Sequence, residues 1–503
     1  MGEDTPGPRY KWAVFAAVAL GTYLSLLDNG IVSVSLPTLS THFGADLSTI
    51  QWVVLTYFLV VGALLLPLGR AADIFGRKRV FIAGFAVYIV GAALAASAQN
   101  VTWLLCARGV QAAGAAAIQA NATAINISVF PPEERGKALG MHATVVALGA
   151  VSGPAFGGLF IDALGWRSAF LMSIAVGAVG LPVSYLVLKE RFITRGMSRG
   201  GRPDWQGMVT SAVALVAALL VLSRGHDVGW TSLFTMVMAV VAVTAMAAFV
   251  TIELRSRSPM IDLRLFQRRL FALGTSAGFL VFTAIMANAL IMPFYIQGIL
   301  GFSARTAGLL VMPQAATLAI AGPLFGRLSD RIGSRWPTTI GLLLVIASFL
   351  ALRRLDSDSH VIEAIIPMMV SGFGMGMFQP ANNSSVLSAV EPERYGVVAA
   401  FLNLTRNTGQ VVGIAVATLI ITVAITNLGV DADIGALRDP TKGASPLLIQ
   451  GFVDGMRNAY LVSAGVVAIA VVCSFARGPR AAASVEGRAG PRGVEAAGEE
   501  DQR

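Results

Sequence analysis

The chain has 503 residues, of which 55% are hydrophobic and only 13% charged, with a net charge of +9 and two cysteines. A soluble globular protein carries about 25% charged residues, so a mean hydropathy of +0.71 excludes a cytosolic enzyme, a secreted disulfide scaffold and a disordered regulator. The hydrophobic share suffices for about fourteen spans of about 20 residues each, and the expected class is an all-α polytopic membrane protein.

In chain order, the apolar runs fall at 12–36, 50–69, 79–98, 103–126, 138–161, 168–188, 207–223, 231–252, 270–296, 306–326, 337–352, 361–382, 396–424 and 456–476. None alternates with the period of two that a barrel strand needs. The first run is too long for a cleavable leader and lacks a convincing small-residue cleavage site. Residues 1–11 form a short N-terminal segment, and 477–503, rich in Gly, Ala, Arg and Glu, read as a disordered tail. The longest outer loop is expected at 425–455. Most Lys and Arg fall on one side, in clusters such as Arg70 with Arg77, Lys78 and Arg79, the stretch 189–202, and 255–269. The positive-inside rule then puts both termini in the cytoplasm of a multi-pass protein of the plasma or inner membrane. The positive balance reflects these loops rather than a nucleic-acid partner.

An internal repeat divides the chain. Gly69, Arg70, Asp73, Gly76 and Lys78 recur 257 residues later as Gly326, Arg327, Asp330, Gly333 and Arg335. Two six-helix bundles follow, 12–188 and 269–476, joined by a linker, 189–268, that holds an extra helix pair at 207–223 and 231–252. Paired bundles with a site between them at the midplane are a transporter architecture.

Several chemistries have no footing. Cys106 and Cys473 sit in apolar runs and imply no disulfide framework. His42, His142, His226 and His360 make no metal-ligand spacing. The stretch Gly274 to Gly278 fits the nucleophile-elbow string but lies inside an apolar helix, so no hydrolase is expected. Gly136-Lys137 has Pro131 and Ala138 where a phosphate loop needs Gly and Ser or Thr. With no ATP site and no cofactor, uphill transport would draw on an ion gradient.

Asp28 and the basic residues Arg108, Arg406 and Arg457 lie inside the apolar runs. Asp28 is about 12 Å deep in the first helix and Arg108 about 8 Å deep in the fourth, at 1.5 Å per residue, so the two can meet. A charge at mid-membrane costs roughly 2.5–3.5 kcal/mol on insertion scales and normally faces a cavity or a partner. A carboxylate held between burial and a neighbouring cation can take up and release a proton. A static pair that only joins two helices is the alternative. Polar residues in the spans (Gln111, Asn121, Asn288, Gln297, Gln314 and Asn403) with Tyr57, Met292, Phe294 and Phe378 are candidates for a mostly apolar cavity that suits a small lipophilic substrate.

Together these motifs resemble the major facilitator superfamily, and within it the fourteen-helix drug:proton antiporters. GRAADIFGRKR, from Gly69 to Arg79, is similar to that superfamily's loop between helices 2 and 3. LDNGIVSVSLP, from Leu27 to Pro37, is similar to the antiporters' first-helix signature, with Gly30 and Ser33 in place of the usual Thr and Asn. Gln51, Trp52 and Tyr57, the fifth-helix glycines around Pro154, and YIQGILGFSARTAGLLVMP, from Tyr295 to Pro313, add to the likeness.

The resemblance implies two six-helix bundles plus two extra helices, fourteen spans in all, and a monomer that meets membrane lipids and a small substrate. It implies export of lipophilic compounds, cationic ones among them, in exchange for protons. Asp28 would carry the proton and Arg108 modulate it. Gly69, Arg70, Asp73, Gly76, Arg77, Asp330 and Arg331 would form a conformational latch. Gly149, Gly153, Pro154, Gly157 and Gly158 would form the antiporter hinge, and their small-xxx-small spacing permits close helix approach in any case. An exporter or flippase of an endogenous lipid or secondary metabolite is the second reading.

Overall fold

The computed structural model describes residues 8–131, 134–193, 205–256, 263–390, 395–430, 437 and 445–476. The tail at 477–503 lies outside them. Fourteen long helices form among the described residues: α1 (Pro8–Phe43), α2 (Trp52–Phe75), α3 (Arg77–Ala96), α4 (Val101–Val129), α5 (Arg135–Leu164), α6 (Ser168–Val187), α7 (Trp205–Val228), α8 (Leu233–Arg255), α9 (Arg269–Phe294), α10 (Ala304–Ile332), α11 (Arg335–Leu352), α12 (Val361–Leu387), α13 (Tyr395–Thr426) and α14 (Pro446–Ala476). Twelve of the described helices are long and apolar enough to cross a membrane. The expected count of fourteen spans is therefore not reached. In α7 the apolar stretch is confined to Val209–Ala218, and α5 opens with Arg135 and Lys137.

The helices pair in two sets that repeat one pattern. α1 packs on α4, α5 and α6, and α9 packs on α12, α13 and α14. α3 lies against α4 and α6, and α11 lies against α12 and α14. The glycines repeat as well. A Cβ at Gly84 would stand 3.0 Å from the Gly114 carbonyl, and one at Gly341 would stand 2.5 Å from the Gly374 carbonyl. The turns after α2 and α10 each need a left-handed residue, met by Gly76 (φ +101°) and Gly333 (φ +85°).

Between the sets, α5 packs on α10, α2 on α13, and α1 more sparsely on α9. α7 and α8 pair with each other, and α7 rests on α2 and α13. The turn at Asp46 marks one end of the bundle and Asp73 the other.

The last helix starts ten residues before its expected start at 456. Ser445 caps it, its Oγ accepting from Leu448 N at 3.1 Å, and Pro446 takes the first helical position, where its missing N–H is not needed. Gly451 and Gly455 then seat the added turns on Ile425 and Ile421 of α13. Arg457 thus lies about three turns into the helix, and its Nε donates to Leu355 O at 3.0 Å in the turn after α11. Tyr295 opens a π-helical turn, Tyr295–Ile299, that extends α9. Its hydroxyl donates to Asp356 O at 2.7 Å in the same connection.

Candidate functional site

The charged centre is assembled inside the N-terminal set. Asp28 comes from α1, Arg108 and Gln111 from one face of α4, Ser173 from α6, and Val53 and Tyr57 from α2. Arg108 Nη1 donates to Asp28 Oδ2 at 2.7 Å and to Gln111 Oε1 at 2.7 Å. Gln111 Nε2 and Ser173 Oγ donate to Asp28 Oδ1 at 2.9 and 3.0 Å. Arg108 Nε donates to Val53 O at 3.0 Å. The guanidinium lies 4.4 Å from the Tyr57 ring centroid and 5.9 Å from that of Phe170. Asp28, Arg108, Gln111 and Ser173 are all 0% exposed.

Such a pair is stable only when its remaining lone pairs and protons are satisfied. The carboxylate meets that condition with three donors, but the arginine does not. Arg108 Nη2 and the Tyr57 hydroxyl are buried without a hydrogen-bond partner. The centre is therefore well held around the carboxylate and incomplete around the guanidinium. Asp28 is closed off from solvent in this conformation, so any proton exchange there would require α1, α4 or α6 to move.

The fifth-helix glycines serve two interfaces. A Cβ at Gly149, Gly153 or Gly157 would stand 2.8 Å from Leu26 Cβ, 2.8 Å from Gly30 Cα or 2.7 Å from Ile31 Cα, all on α1. The opposite side of α5 meets α10 of the other set. A Cβ at Gly158 would run into the Ala304 carbonyl, and one at Gly308 into the Pro154 carbonyl. Gly30, where the resembling family has a threonine, is what permits backbone contact at Gly153. Near the same Asp46 end, Gln297 Nε2 donates to Val34 O at 3.0 Å. The two sets thus meet closely at this end.

At the other end, Asp73 pairs with Arg77 at 3.2 Å within its own set. Arg77 Nη1 also donates to Ala124 O and Ile193 O at 3.4 Å each. A Cβ at Gly76 would press on Glu190 Oε1 at 2.5 Å. Gly69 and Gly326 make ordinary contacts with Ala120 and Pro380, on α4 and α12. Arg70 is half-buried on α2. The side chains of Asp330 and Arg331 lie outside the described residues.

The polar candidates separate into distinct places. Tyr57 and Gln111, expected at a cavity, belong to the charged centre, because the Arg108 cation recruits a ring face and an amide oxygen. Asn121 turns back on its own helix, donating to Ala117 O at 2.8 Å. Asn288 joins a network in the C-terminal set: its Nδ2 donates to Gln314 Oε1 at 3.2 Å, and Tyr460 Oη donates to its Oδ1 at 3.0 Å. Met292, Phe294 and Phe378 are packed in the core. Asn403 is half-buried on α13. An apolar cleft of about 590 Å³ lies between α7 and α8, lined by Ala214, Ala218, Ala242 and Met246, and touches none of the charged centre.

Sequence reasoning missed Ser173, Tyr460 and Gly308. Each stands in an apolar or small-residue run with no spacing signal, and only the helix packing gives it a role.

Two pseudo-repeated sets of membrane-crossing helices, one of them enclosing a buried charge pair, define a polytopic transport protein. The model of the Major Facilitator Superfamily matches residues 18–414 and 274–497. The chain belongs to that superfamily. It is 29% identical over 507 residues to the multidrug resistance protein Stp of Mycobacterium tuberculosis (strain CDC 1551 / Oshkosh), covering 94% of this chain and 93% of that one. It is 30% identical to the riboflavin transporter RibZ of Clostridioides difficile (strain 630), covering 81% and 87%. The methylenomycin A resistance protein of Streptomyces coelicolor is 30% identical over 79% of this chain and 83% of its own. Among solved structures, the fold is similar to an inward-facing, unoccupied bacterial homolog of the human lysosomal transporter Spinster, with a TM-score of 0.67 at 18% identity, covering 94% and 97%.

Proposed function

We propose that this protein exports lipophilic, drug-sized compounds across the cell membrane in exchange for protons, as a member of the fourteen-helix drug:proton antiporter branch. The observation that carries this reading is the sealed Asp28–Arg108 pair, both side chains 0% exposed. A membrane protein keeps a charge pair there at a cost unless moving charge is its use. Relatives named for multidrug and methylenomycin resistance support the export reading. A relative named as a riboflavin transporter supports the second one, export of an endogenous metabolite or lipid through the same machinery.

In this proposal α5 and α7 also cross the membrane, for a total of fourteen spans. Their lengths of 30 and 24 residues suffice. The two bundles, 12–188 and 269–476, rock about a central cavity, the Asp46 end faces outward, and both termini are cytoplasmic. The chain acts as a monomer without a cofactor.

The test is transport in proteoliposomes with an imposed pH gradient, read with a neutral lipophilic fluorescent dye. Proton influx accompanying uphill dye movement is expected. Dye movement only down its own gradient would overturn the antiport reading.

Asp73→Asn provides a second check. Among the described residues its carboxylate is held by Arg77 of its own set, which would release it to a partner in another conformation. Turnover should fall about tenfold with dye affinity changed less than about twofold. A large affinity loss at normal turnover would rule out the latch role.

A further inference from the structure

We propose that the space between the two helix sets takes the anionic headgroup of an amphiphilic substrate, through Arg406 of α13. This inference rests on the exporter reading above and names the charge of what is exported.

Asn403, Arg406, Asn407 and Gln410 follow one another at i, i+3, i+4 and i+7, which places them along one face of α13. The neighbouring face is closed: a Cβ at Gly409 would stand 2.7 Å from the Phe279 carbonyl of α9, and Gly413 packs against Thr283. The polar stripe instead confronts the N-terminal set. Leu404 and Asn407 reach toward Gly62 of α2, and Arg406 lies in electrostatic range of His142 on α5.

Arg406 stands about 16 Å along α13 from Tyr395 at 1.5 Å per residue. No hydrogen bond or ion pair joins it to another described residue. Nor is a carboxylate near in the sequence of the surrounding helices. α4, α9 and α13 contain no Asp or Glu, the acids of α2, α5, α7 and α10 (Asp73, Asp162, Asp227 and Asp330) each sit in a final turn, and Asp454 of α14 lies 3.8 Å from Arg457.

The contrast with Arg108 is informative. Arg108 has a carboxylate at 2.7 Å inside one set, whereas Arg406 faces the other set without one. An intramembrane arginine is retained where it meets a cavity or a partner. Two buried amide groups beside it also lack partners, Asn407 Nδ2 and Gln410 Oε1, and across the gap so does Asn126 Oδ1. A planar guanidinium with an amide donor nearby suits two oxygens of a carboxylate or phosphate. The same place repels a cation, since the charged Arg406 guanidinium faces it. The cationic substrates implied by the family resemblance are therefore disfavoured at this position.

The experiment is equilibrium binding to the purified full chain in detergent, using pyrenedodecanoic acid, its methyl ester and the matching pyrene amine. Wild type should bind the acid at least about tenfold tighter than the ester, with the amine weakest. Arg406→Gln should erase the preference and Arg406→Lys keep most of it. A pyrene-labelled lysophosphatidic acid forms a parallel arm: tighter binding there assigns the headgroup to a lipid phosphate, and tighter binding of the acid assigns it to a free carboxylate. Equal affinity of wild type for acid and ester would overturn the proposal whether or not the variants fold. So would an undiminished acid preference in Arg406→Gln. Wild type that moves a neutral dye uphill yet binds acid and ester alike would overturn the headgroup alone and leave the exporter reading in place.

Discussion

Asp28→Asn is expected to abolish proton-driven accumulation while leaving downhill exchange of the same dye measurable. The membrane potential supplies about 2.3 kcal/mol per charge at 100 mV. One proton at 100–150 mV then supports a gradient of about fiftyfold to a few hundredfold for a neutral substrate. In the variant the gradient should collapse to about one. The variant also leaves Arg108 buried beside a neutral side chain, and breaking a buried pair costs roughly 3–5 kcal/mol. Lost transport could then reflect lost folding.

The double variant Asp28→Asn, Arg108→Gln separates the two effects. It removes both charges at similar volume, and its thermal melt in detergent should return toward wild type. Uphill transport should remain absent. A double variant that melts like wild type and still accumulates dye would show that the pair only fastens α1 to α4. The geometry sets the stakes: Asp28 accepts from Arg108, Gln111 and Ser173 at 2.7–3.0 Å and is 0% exposed, so the proposed protonation requires helix movement.

Gly308→Ala and Gly158→Ala are expected to hold the Asp46 end open. Each added methyl falls on a carbonyl of the opposing set, Pro154 or Ala304. Overpacking of this kind costs about 1–3 kcal/mol, which shifts a two-state equilibrium by roughly 5- to 150-fold. Spin-label distances between the ends of α5 and α10 should lengthen, and turnover should fall by at least about tenfold. Gly153→Ala is the control. Its methyl meets Gly30 and Leu27 of α1, both at 2.8 Å and within one set. It should lower thermal stability while leaving the distance between the sets alone. Unchanged distances in both Gly308→Ala and Gly158→Ala would show that this crossing does not govern closure.

The helices were legible because each needs a long apolar stretch, whatever its neighbours do. Their ends were less so. Ser445 and Pro446 start α14 early through capping chemistry outside the apolar run, and Asn383, Ser384 and Ser385 continue α12 to Leu387, beyond its expected end at 382. Asp28 and Arg108 stood out in the sequence because a charge among apolar residues is conspicuous. Ser173 did not, since a serine in a membrane helix is satisfied by its own backbone, as its 3.4 Å approach to Ala169 O illustrates.

From sequence alone come the membrane class, the 257-residue repeat and the presence of charges inside the spans, because each depends on local composition or self-similarity. Tertiary structure alone decided that Arg108 is paired and that Arg406 has no ion-pair partner among the described residues. It also decided that Gly153 joins one set while Gly308 and Gly158 bring two sets together. Those outcomes depend on which helix faces meet across hundreds of residues of chain, and the rotation of one helix against another is written in the packing of both.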